Sequence, residues 1–548
     1  MKIMNKINEE QFLKEAEQKA WEKYLSLIAG SDTPWDYVII TASNASQGEG
    51  FQAQIRERLD AGFLPSVTHY GVVPDPEGER VGNGGAVLGA LRYVYQNEKR
   101  FEGVKVLIIL SSGDSRRVAQ YSAMGKVFSP VPRLLPNGRA STLFDEDMIS
   151  LSTIPSNIKE GVLVISGDVM LAFDAEMFVP GHADAAAIAF PEPAERGAGH
   201  GVFLNNEQGN IAKVWHKQKP EFLKQFGAVD DEGNVNIDTG AVFFSPRVAE
   251  AIYSLVCENG VCTEESFHEV VNGYLAPSLY VDFFYPLAED STYEEYLKEI
   301  PEGKMSDELL RLRCRIWQAL RPFRIKLCRI APSRFIHFGT TSEVETLMQH
   351  GIEEYQYLGW KRQVASCVPD PKVATYNSVG FGVFGDRVYL EDSIVNGSVG
   401  SGSILSGVEI DGQTIPENVV LHTLQQTDGN YVTRIYGVTD NPKSDSVFLF
   451  GEEMNFGDVW DGEEKHLWEA KIYPVCATRS ESIAAAINVY ELVHGRGNRK
   501  AWEEAPKESL FSSFGKADGI AIKKWQQYVK EKVSEYQERD KSNGRMEE

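Results

Sequence analysis

The sequence predicts an α/β protein with a mostly parallel central sheet. Three short apolar runs are typical of strands buried on both faces, at residues 37–40, 106–110 and 162–165. Helical patterns separate them, at residues 52–61, 84–96 and 145–152. Strands that alternate with helices form parallel sheets, and such sheets bind ligands beyond the carboxyl ends of their strands. The segments that follow these runs are therefore the first candidates for a functional site.

The regions outside this pattern predict further domains, since 548 residues are enough for two or three. Residues 1–30 are charged and predict an N-terminal helix, and residues 31–355 form the main α/β domain. Over residues 356–455, apolar residues recur at short intervals among Gly and Ser, which predicts a β-solenoid; a small β-sandwich is the alternative. These apolar residues are Val383, Val388, Ile394, Val399, Ile404, Val408, Ile410, Ile415 and Val419. Residues 456–548 predict a helical C-terminal region.

Composition excludes several classes of function. The net charge of −24 argues against nucleic-acid binding, which requires a basic surface. The sequence has no apolar stretch long enough to predict a membrane span. The six cysteines are scattered and predict reduced thiols, hence a cytoplasmic protein. An anionic substrate would need a local basic cluster to overcome the global negative charge.

Such a cluster follows the second apolar run. Between Ser115 and Phe144 the sequence contains no Asp or Glu, and the basic residues in this window are Arg116, Arg117, Lys126, Arg133 and Arg139. The turn around Gly113 consists of small residues, which let backbone N–H groups approach a polyphosphate. Arg116 offers a planar fork for phosphate oxygens and Lys126 a point charge. The alternative is a basic loop without function.

Two carboxylates are candidates for a metal site. Asp168 directly follows the third apolar run, where a carboxylate is costly unless it is solvated or coordinated. It can hold Mg²⁺, which accepts a few carboxylates together with substrate phosphates; capping of the next helix is the alternative. Asp238 opens another apolar strand and is the candidate for a second ligand.

Two weaker patterns also point to anion binding. Lys213, Lys217 and Lys219 lie close together, and one of them would neutralise a sugar phosphate unless all three are lysines of a solvated edge strand. A Gly-rich turn with Gly82 and Gly84 precedes a helix, and a helix N-terminus is a ready anion site.

In this order, the motifs resemble the L-fucose-1-phosphate guanylyltransferase (GDP-fucose pyrophosphorylase) family, including the pyrophosphorylase half of bifunctional fucokinase/guanylyltransferases. The resemblance covers residues 36–474. Its motifs are residues 39–44, 73–76, 80–86, 112–116, 125–130, 141–145, 166–168, 200–202, 218–220, 238–240, 337–341 and 467–474.

The resemblance implies a fold and a set of ligands. It implies a nucleotidyltransferase-type (Rossmann-like, GT-A-like) mixed sheet with helices on both faces, then a left-handed parallel β-helix and a helical tail. Arg116 and Lys126 match triphosphate ligands, and Asp168 and Asp238 match ligands of Mg²⁺ or Mn²⁺. The implied nucleotide contacts also include Gly82, Gly84, Gly85, Gly113 and Ser115, and the implied sugar-phosphate contacts are Lys219, His200 and Gly201.

The implied reaction is GTP + L-fucose 1-phosphate → GDP-L-fucose + pyrophosphate. The β-helix is a candidate surface for forming a homo-oligomer. The loop at residues 82–84 is Gly-Asn-Gly where the family often has Gly-Ser-Gly, which weakens the assignment of the base. The sequence lacks the kinase loop of the bifunctional relatives, so no kinase activity is expected. The alternatives are another sugar 1-phosphate or nucleoside triphosphate, a non-catalytic nucleotide-sugar-binding regulator with the same fold, and a protein used only for assembly.

Overall fold

The computed structural model describes residues 2–301, 303–443, 448–453 and 466–542. It divides into two compact units. The sheet unit comprises Met1–Gly113 and Phe144–Ile336, and the ladder unit comprises Asp114–Leu143 and His337–Glu548. The predicted domain boundaries at residues 30 and 355 stay predictions, and the boundary at residue 455 falls outside the described residues.

The strands and helices are numbered in chain order. Strands β1–β13 are Tyr37–Ala42, His69–Pro74, Lys105–Leu110, Pro130–Leu134, Ala140–Thr142, Gly161–Ser166, Val169–Ala172, Ala185–Pro193, Gly201–Asn205, Ile211–His216, Asn234–Phe244, Ile325–Arg329 and Arg334–His337. Strands β14–β27 are Gln363–Val364, Ala374–Tyr376, Val379–Gly380, Val383–Phe384, Tyr389–Glu391, Ile394–Val399, Ile404–Ser406, Glu409–Ile415, Val419–Gln425, Tyr431–Gly437, Phe448–Leu449, Glu452–Glu453, Tyr473–Cys476 and Lys507–Glu508. Helices α1–α18 are Lys2–Ile28, Ala45–Asp60, Gly82–Glu98, Leu143–Ser150, Ile154–Asn157, Ala194–Gly197, Pro220–Gln225, Pro246–Tyr253, Glu264–Val270, Phe284–Leu287, Tyr293–Tyr296, Asp307–Leu320, Thr341–Thr346, Ile352–Glu354, Arg479–Val493, Arg499–Glu504, Leu510–Gly515 and Gly519–Ser542.

The sheet unit contains a nine-stranded mixed sheet. Its main path is β10-β9-β11-β6-β3-β1-β2, and β8 pairs with β11 and β12. Strands β2, β1, β3 and β6 are parallel neighbours, and the three predicted apolar runs are β1, β3 and β6. Their central residues are fully buried, because helices cover both faces of a parallel sheet. The α/β class is therefore confirmed.

The other half of this sheet is antiparallel. Strand β11 runs antiparallel to β6, β8 and β9, and β9 forms an antiparallel pair with β10, whereas β12 pairs with β8 in parallel. The expectation of a mostly parallel sheet is thus too simple, and the mixed sheet implied by the family resemblance is the one present. The difference arises because the chain from β8 to β11 has few helical crossovers, and parallel neighbours require such crossovers.

The ladder unit is built from short parallel strands. One sheet follows the order β14-β15-β18-β20-β22-β23-β26-β27, and pairing is parallel as far as β22. In a second sheet, β16, β17 and β21 pair in parallel with β19. Serine side chains follow a 15-residue repeat in this unit. The hydroxyls of Ser378 and Ser393 each accept a hydrogen bond from the backbone N–H of the residue 15 positions further on. Parallel pairing is not the arrangement of a β-sandwich, whose sheets are antiparallel.

No helix within the described ranges combines the length and the apolar composition needed to cross a bilayer.

Candidate functional site

The structure places Asp168 and Asp238 at neighbouring positions in the sheet unit. Strand β11 pairs with β6 so that Val242 faces Val164, and continuing this register brings Gly240 beside Ser166. A Cβ atom at Gly240 would lie 2.9 Å from the Cβ atom of Ser166. Asp168 follows Ser166 and accepts a hydrogen bond from its hydroxyl at 2.6 Å, and Asp238 lies two residues before Gly240. The two predicted carboxylates therefore lie at the same edge of adjacent strands.

The carboxylate of Asp238 is buried with little compensation. Its side chain is 8% exposed and accepts one backbone hydrogen bond, from the Gly240 N–H at 2.9 Å. Burial raises the pKa of Asp238 to about 7. Because a nearby cation favours the ionised form of a carboxylate, a bound cation would lower this pKa again.

The surroundings of Asp238 include a histidine that the sequence analysis did not select. A Cβ atom at Gly201 would lie 3.2 Å from Asp238 Oδ2 and 3.5 Å from His216 Nδ1, so glycine keeps the space between these side chains open. Burial lowers the pKa of His216, which keeps its imidazole neutral near physiological pH. In the sequence, His216 lies between Lys213 and Lys217 of the lysine cluster, and this position is the clue that could have indicated it.

The other two predicted sugar-phosphate residues have different surroundings. His200 precedes Gly201, and its ring packs edge-on against Phe335 with the ring centroids 5.1 Å apart. Lys219 is exposed directly before α7. The structure therefore places Gly201 at Asp238, whereas the roles of His200 and Lys219 stay predictions.

The Gly-rich turn at the start of α3 packs against another part of the chain. A Cβ atom at Gly82 or at Gly84 would lie 2.7 Å from the carbonyl oxygen of Pro277. The Gly84 N–H donates to that same oxygen at 2.9 Å. Close backbone packing thus explains the glycine at both positions, and their contact with a nucleotide stays a prediction. Gly85 lines a cavity of about 370 Å³ together with Asp75.

Asp147 is a further acid near Asp168, and the sequence patterns did not indicate it. Asp147 is 2% exposed, and one of its carboxylate oxygens has no hydrogen-bond partner among the described residues. Burial, with the charges of Glu146 and Asp168 nearby, raises the pKa of Asp147 well above its usual range. Burial therefore favours the neutral form of the Asp147 side chain. In the sequence it lies within three consecutive acids, a pattern typical of a solvated helix start.

The turn after β3 carries the predicted phosphate contacts. Gly113 ends the first segment of the sheet unit, where its N–H donates to the Ser43 hydroxyl at 2.8 Å. In the ladder unit, Ser115 has a positive φ of 49°, a conformation that costs energy for a residue other than glycine. Arg116 forms an ion pair with Asp114, and its guanidinium lies 5.8 Å from the ring centroid of Trp468.

Arg117 and Lys126 both contact the start of α13 and the residues just before it. The carbonyl oxygen of Arg117 accepts hydrogen bonds from the backbone N–H of Thr341 at 2.9 Å and from its hydroxyl at 3.1 Å. The Lys126 ammonium donates to the carbonyl oxygen of Gly339 at 3.3 Å. Arg116 and Lys126 therefore belong to one packed assembly in the ladder unit.

Comparison with known proteins shows which family the chain resembles. The model of the fucose pyrophosphorylase domain matches residues 98–478. A fucose-1-phosphate guanylyltransferase of Mus musculus is 26% identical over 525 residues, which cover 84% of this chain and 87% of that protein. A bifunctional fucokinase/GDP-fucose pyrophosphorylase of Arabidopsis thaliana is 26% identical over 558 residues, which cover 87% of this chain and 50% of that protein.

A solved structure, HddC from Yersinia pseudotuberculosis complexed with GMP-PN, covers 56% of this chain and 95% of its own at 11% identity. Its TM-score of 0.24 is too low to support a conclusion. The family match, in contrast, extends over more than half of the chain and includes Arg116, Lys126, Asp168 and Asp238. The chain belongs to the fucose pyrophosphorylase family.

Proposed function

We propose that this protein is a guanylyltransferase that converts GTP and L-fucose 1-phosphate into GDP-L-fucose and pyrophosphate. The observation that carries this proposal is the family match over residues 98–478, which includes the predicted cations and carboxylates. The names of the mouse and human relatives, both fucose-1-phosphate guanylyltransferases, support the same sugar and base.

The chemistry requires positioning more than proton transfer. A phosphate oxygen of the sugar 1-phosphate attacks the α-phosphorus of GTP, and pyrophosphate leaves in line. Since this nucleophile is already an anion, catalysis consists mainly of holding two polyanions together and neutralising charge. Arg116 and Lys126 bind the triphosphate and stabilise the departing pyrophosphate. Gly113 and Ser115 shape the turn that presents backbone N–H groups to it.

The carboxylate pair fits a divalent cation. Burial raises the pKa of Asp238 to about 7 when no cation is bound. Its strand, β11, lies beside β6, the strand that leads to Asp168. Among the described residues, no group of three or more His, Cys, Asp or Glu is arranged to hold a metal. Mg²⁺ accepts a few carboxylates together with substrate phosphates, so a pair of carboxylates fits such a cation. Mg²⁺, or Mn²⁺, supplies Lewis-acid polarisation of the phosphates when it is bound. Asp168 and Asp238 would hold it.

The sugar phosphate is assigned to the region around Gly201. Asp238 and the neutral His216 lie next to this glycine, where a side chain would fill the space. We assign Lys219 and His200 to the same substrate on the basis of the family resemblance.

The remaining proposals concern architecture and location. The parallel strands of the ladder unit support a left-handed β-helix, through which copies of the chain would associate. Six scattered cysteines fit the reducing cytoplasm, in which thiols stay reduced.

The test is pyrophosphate release from a matrix of the common nucleoside triphosphates and several sugar 1-phosphates. We expect release to be fastest with GTP and L-fucose 1-phosphate. Release with a different pair would contradict the named substrates and keep the class of reaction. Binding of nucleotide sugars without turnover of any pair would identify a non-catalytic regulator.

A further inference from the structure

The residues that join Arg116 to Lys126 are held by buried side chains of the ladder unit. We call residues 119–122 the connecting turn. Each of its four residues is at most 5% exposed. It lies between the two proposed pyrophosphate ligands in the sequence, so its position constrains the position of both.

Arg434 of β23 lies directly against the connecting turn. It is completely buried and donates to the carbonyl oxygen of Ala119 at 2.7 Å and to the hydroxyl of Ser122 at 3.0 Å. It also contacts His422 Nδ1 at 2.6 Å. Because a guanidinium only donates, this nitrogen accepts and the proton of His422 is on Nε2.

The three partners of Arg434 are a carbonyl oxygen, a hydroxyl and a neutral imidazole. None of them carries a negative charge, and burial lowers the pKa of Arg434 to about 10. A buried charge balanced only by dipoles is costly for folding. Despite this cost, its hydrogen bonds to Ala119 and Ser122 hold the connecting turn in one geometry.

Two tyrosine hydroxyls, one on β23 and one in the connecting turn itself, make further bonds between the turn and the ladder. The Tyr436 hydroxyl donates to Gln120 Oε1 at 2.7 Å and accepts from the Gln120 backbone N–H at 3.1 Å. The Tyr121 hydroxyl donates to Glu391 Oε2 at 2.8 Å. Every residue of the connecting turn is therefore hydrogen-bonded to β18 or β23, two strands of the eight-stranded sheet.

We propose that Arg434, Tyr436 and Glu391 are positioning residues for pyrophosphate: they fix the connecting turn and thereby the placement of Arg116 and Lys126. This inference rests on the proposed function. Displacing a substrate-positioning group by about 1 Å costs up to about 100-fold in rate. A loosened turn should therefore weaken the handling of pyrophosphate and leave the sugar end of the reaction unaffected.

The reverse reaction isolates this effect, because pyrophosphate and GDP-L-fucose are then separate substrates with separate KM values. We expect Tyr436→Phe to raise the KM for pyrophosphate by about 10- to 100-fold and to leave the KM for GDP-L-fucose unchanged. Tyr473→Phe is the matched control. Its hydroxyl is also buried and donates to the carbonyl oxygen of Ile435 at 3.0 Å, between Arg434 and Tyr436 on β23. Among the described residues this hydroxyl makes no hydrogen bond to the connecting turn, so the control perturbs the same strand without releasing the turn.

Thermal unfolding of both variants measures the structural effect alone, which should be similar for the two. Tyr121→Phe releases the turn from its other side, should raise the same KM, and serves if Tyr436→Phe does not fold. Equal KM values for Tyr436→Phe and Tyr473→Phe, or a wild-type KM for Tyr121→Phe, would overturn the inference. Failure of wild-type protein to convert GTP and L-fucose 1-phosphate would instead overturn the proposed function.

Discussion

Asp147 and Asp238 are both buried aspartates close to Asp168, yet their electrostatic situations differ. Asp238 accepts a backbone hydrogen bond and has a pKa of about 7, so a cation can ionise it. Asp147 has an oxygen without a partner among the described residues and two acidic neighbours, and its pKa is raised well above the usual range. We therefore expect Asp147 to act as a neutral group and Asp238 as a metal ligand.

Replacing each of these residues with asparagine tests that distinction. Asp147→Asn should retain turnover, since asparagine resembles a protonated aspartate in shape and charge. Asp238→Asn should lose on the order of 10²-fold in rate, the scale seen when one charge-stabilising group is removed. The measurement is kcat at increasing Mg²⁺ concentration. Equal losses in the two variants would contradict the assignment of the metal site.

Lys126 is the residue whose removal should affect turnover most. Lys126→Ala should lose on the order of 10²–10³-fold in kcat, because charge on the departing pyrophosphate is no longer neutralised. Lys500→Ala is the control, since the side chain of Lys500 is 83% exposed in the same unit. Circular dichroism should show both variants folded. A wild-type rate for Lys126→Ala would refute the role of this lysine.

At the residue level, the sequence indicated both carboxylates from their positions next to apolar strands. Asp168 follows such a strand, where a carboxylate is costly without a partner, and Asp238 was expected to open another. Asp147 and His216 were missed, because their burial depends on packing between elements distant in the sequence. Neither residue lies in a pattern that distinguishes it from an ordinary surface residue.

At the scale of elements, apolar periodicity predicted β1, β3 and β6 and the helices between them, because burial on both faces leaves a continuous apolar run. The membership of residues 114–143 in the ladder unit had no such signal. Contacts that hold this segment span large separations, as between Gln120 and Tyr436, which are 316 positions apart. Only the folded structure shows that strands of the ladder unit hold the segment that carries Arg116 and Lys126.

Helix α3 provides a matched pair of glycine substitutions. Gly84→Ala should destabilise the protein by about 1–3 kcal/mol, because its Cβ atom would overlap the Pro277 carbonyl oxygen. Gly89→Ala should be neutral or stabilise it by up to about 1 kcal/mol, since its Cβ atom would make an ordinary 3.5 Å contact with Val73 and alanine favours helix. Urea unfolding measures both. Equal stability of the two variants would contradict the close packing at Gly84.

At the scale of the whole molecule, an acidic protein is proposed to bind two polyanions. The net charge of −24 repels both substrates, and the acid-free window between Ser115 and Phe144 is the local exception. The net charge shows that an anionic substrate would require such a window. The identity of the sugar could not be predicted in this way, since a sugar pocket consists of scattered contacts; family membership supplies it.

The central claim is that the sugar phosphate attacks the α-phosphorus of GTP. The most direct measurement follows the label from GTP labelled at the α- or the γ-phosphorus, incubated with L-fucose 1-phosphate and Mg²⁺. We predict that the α label appears in GDP-L-fucose and the γ label in pyrophosphate. Transfer of the γ label to the sugar, or retention of the α label in free GDP or GMP, would contradict the claim.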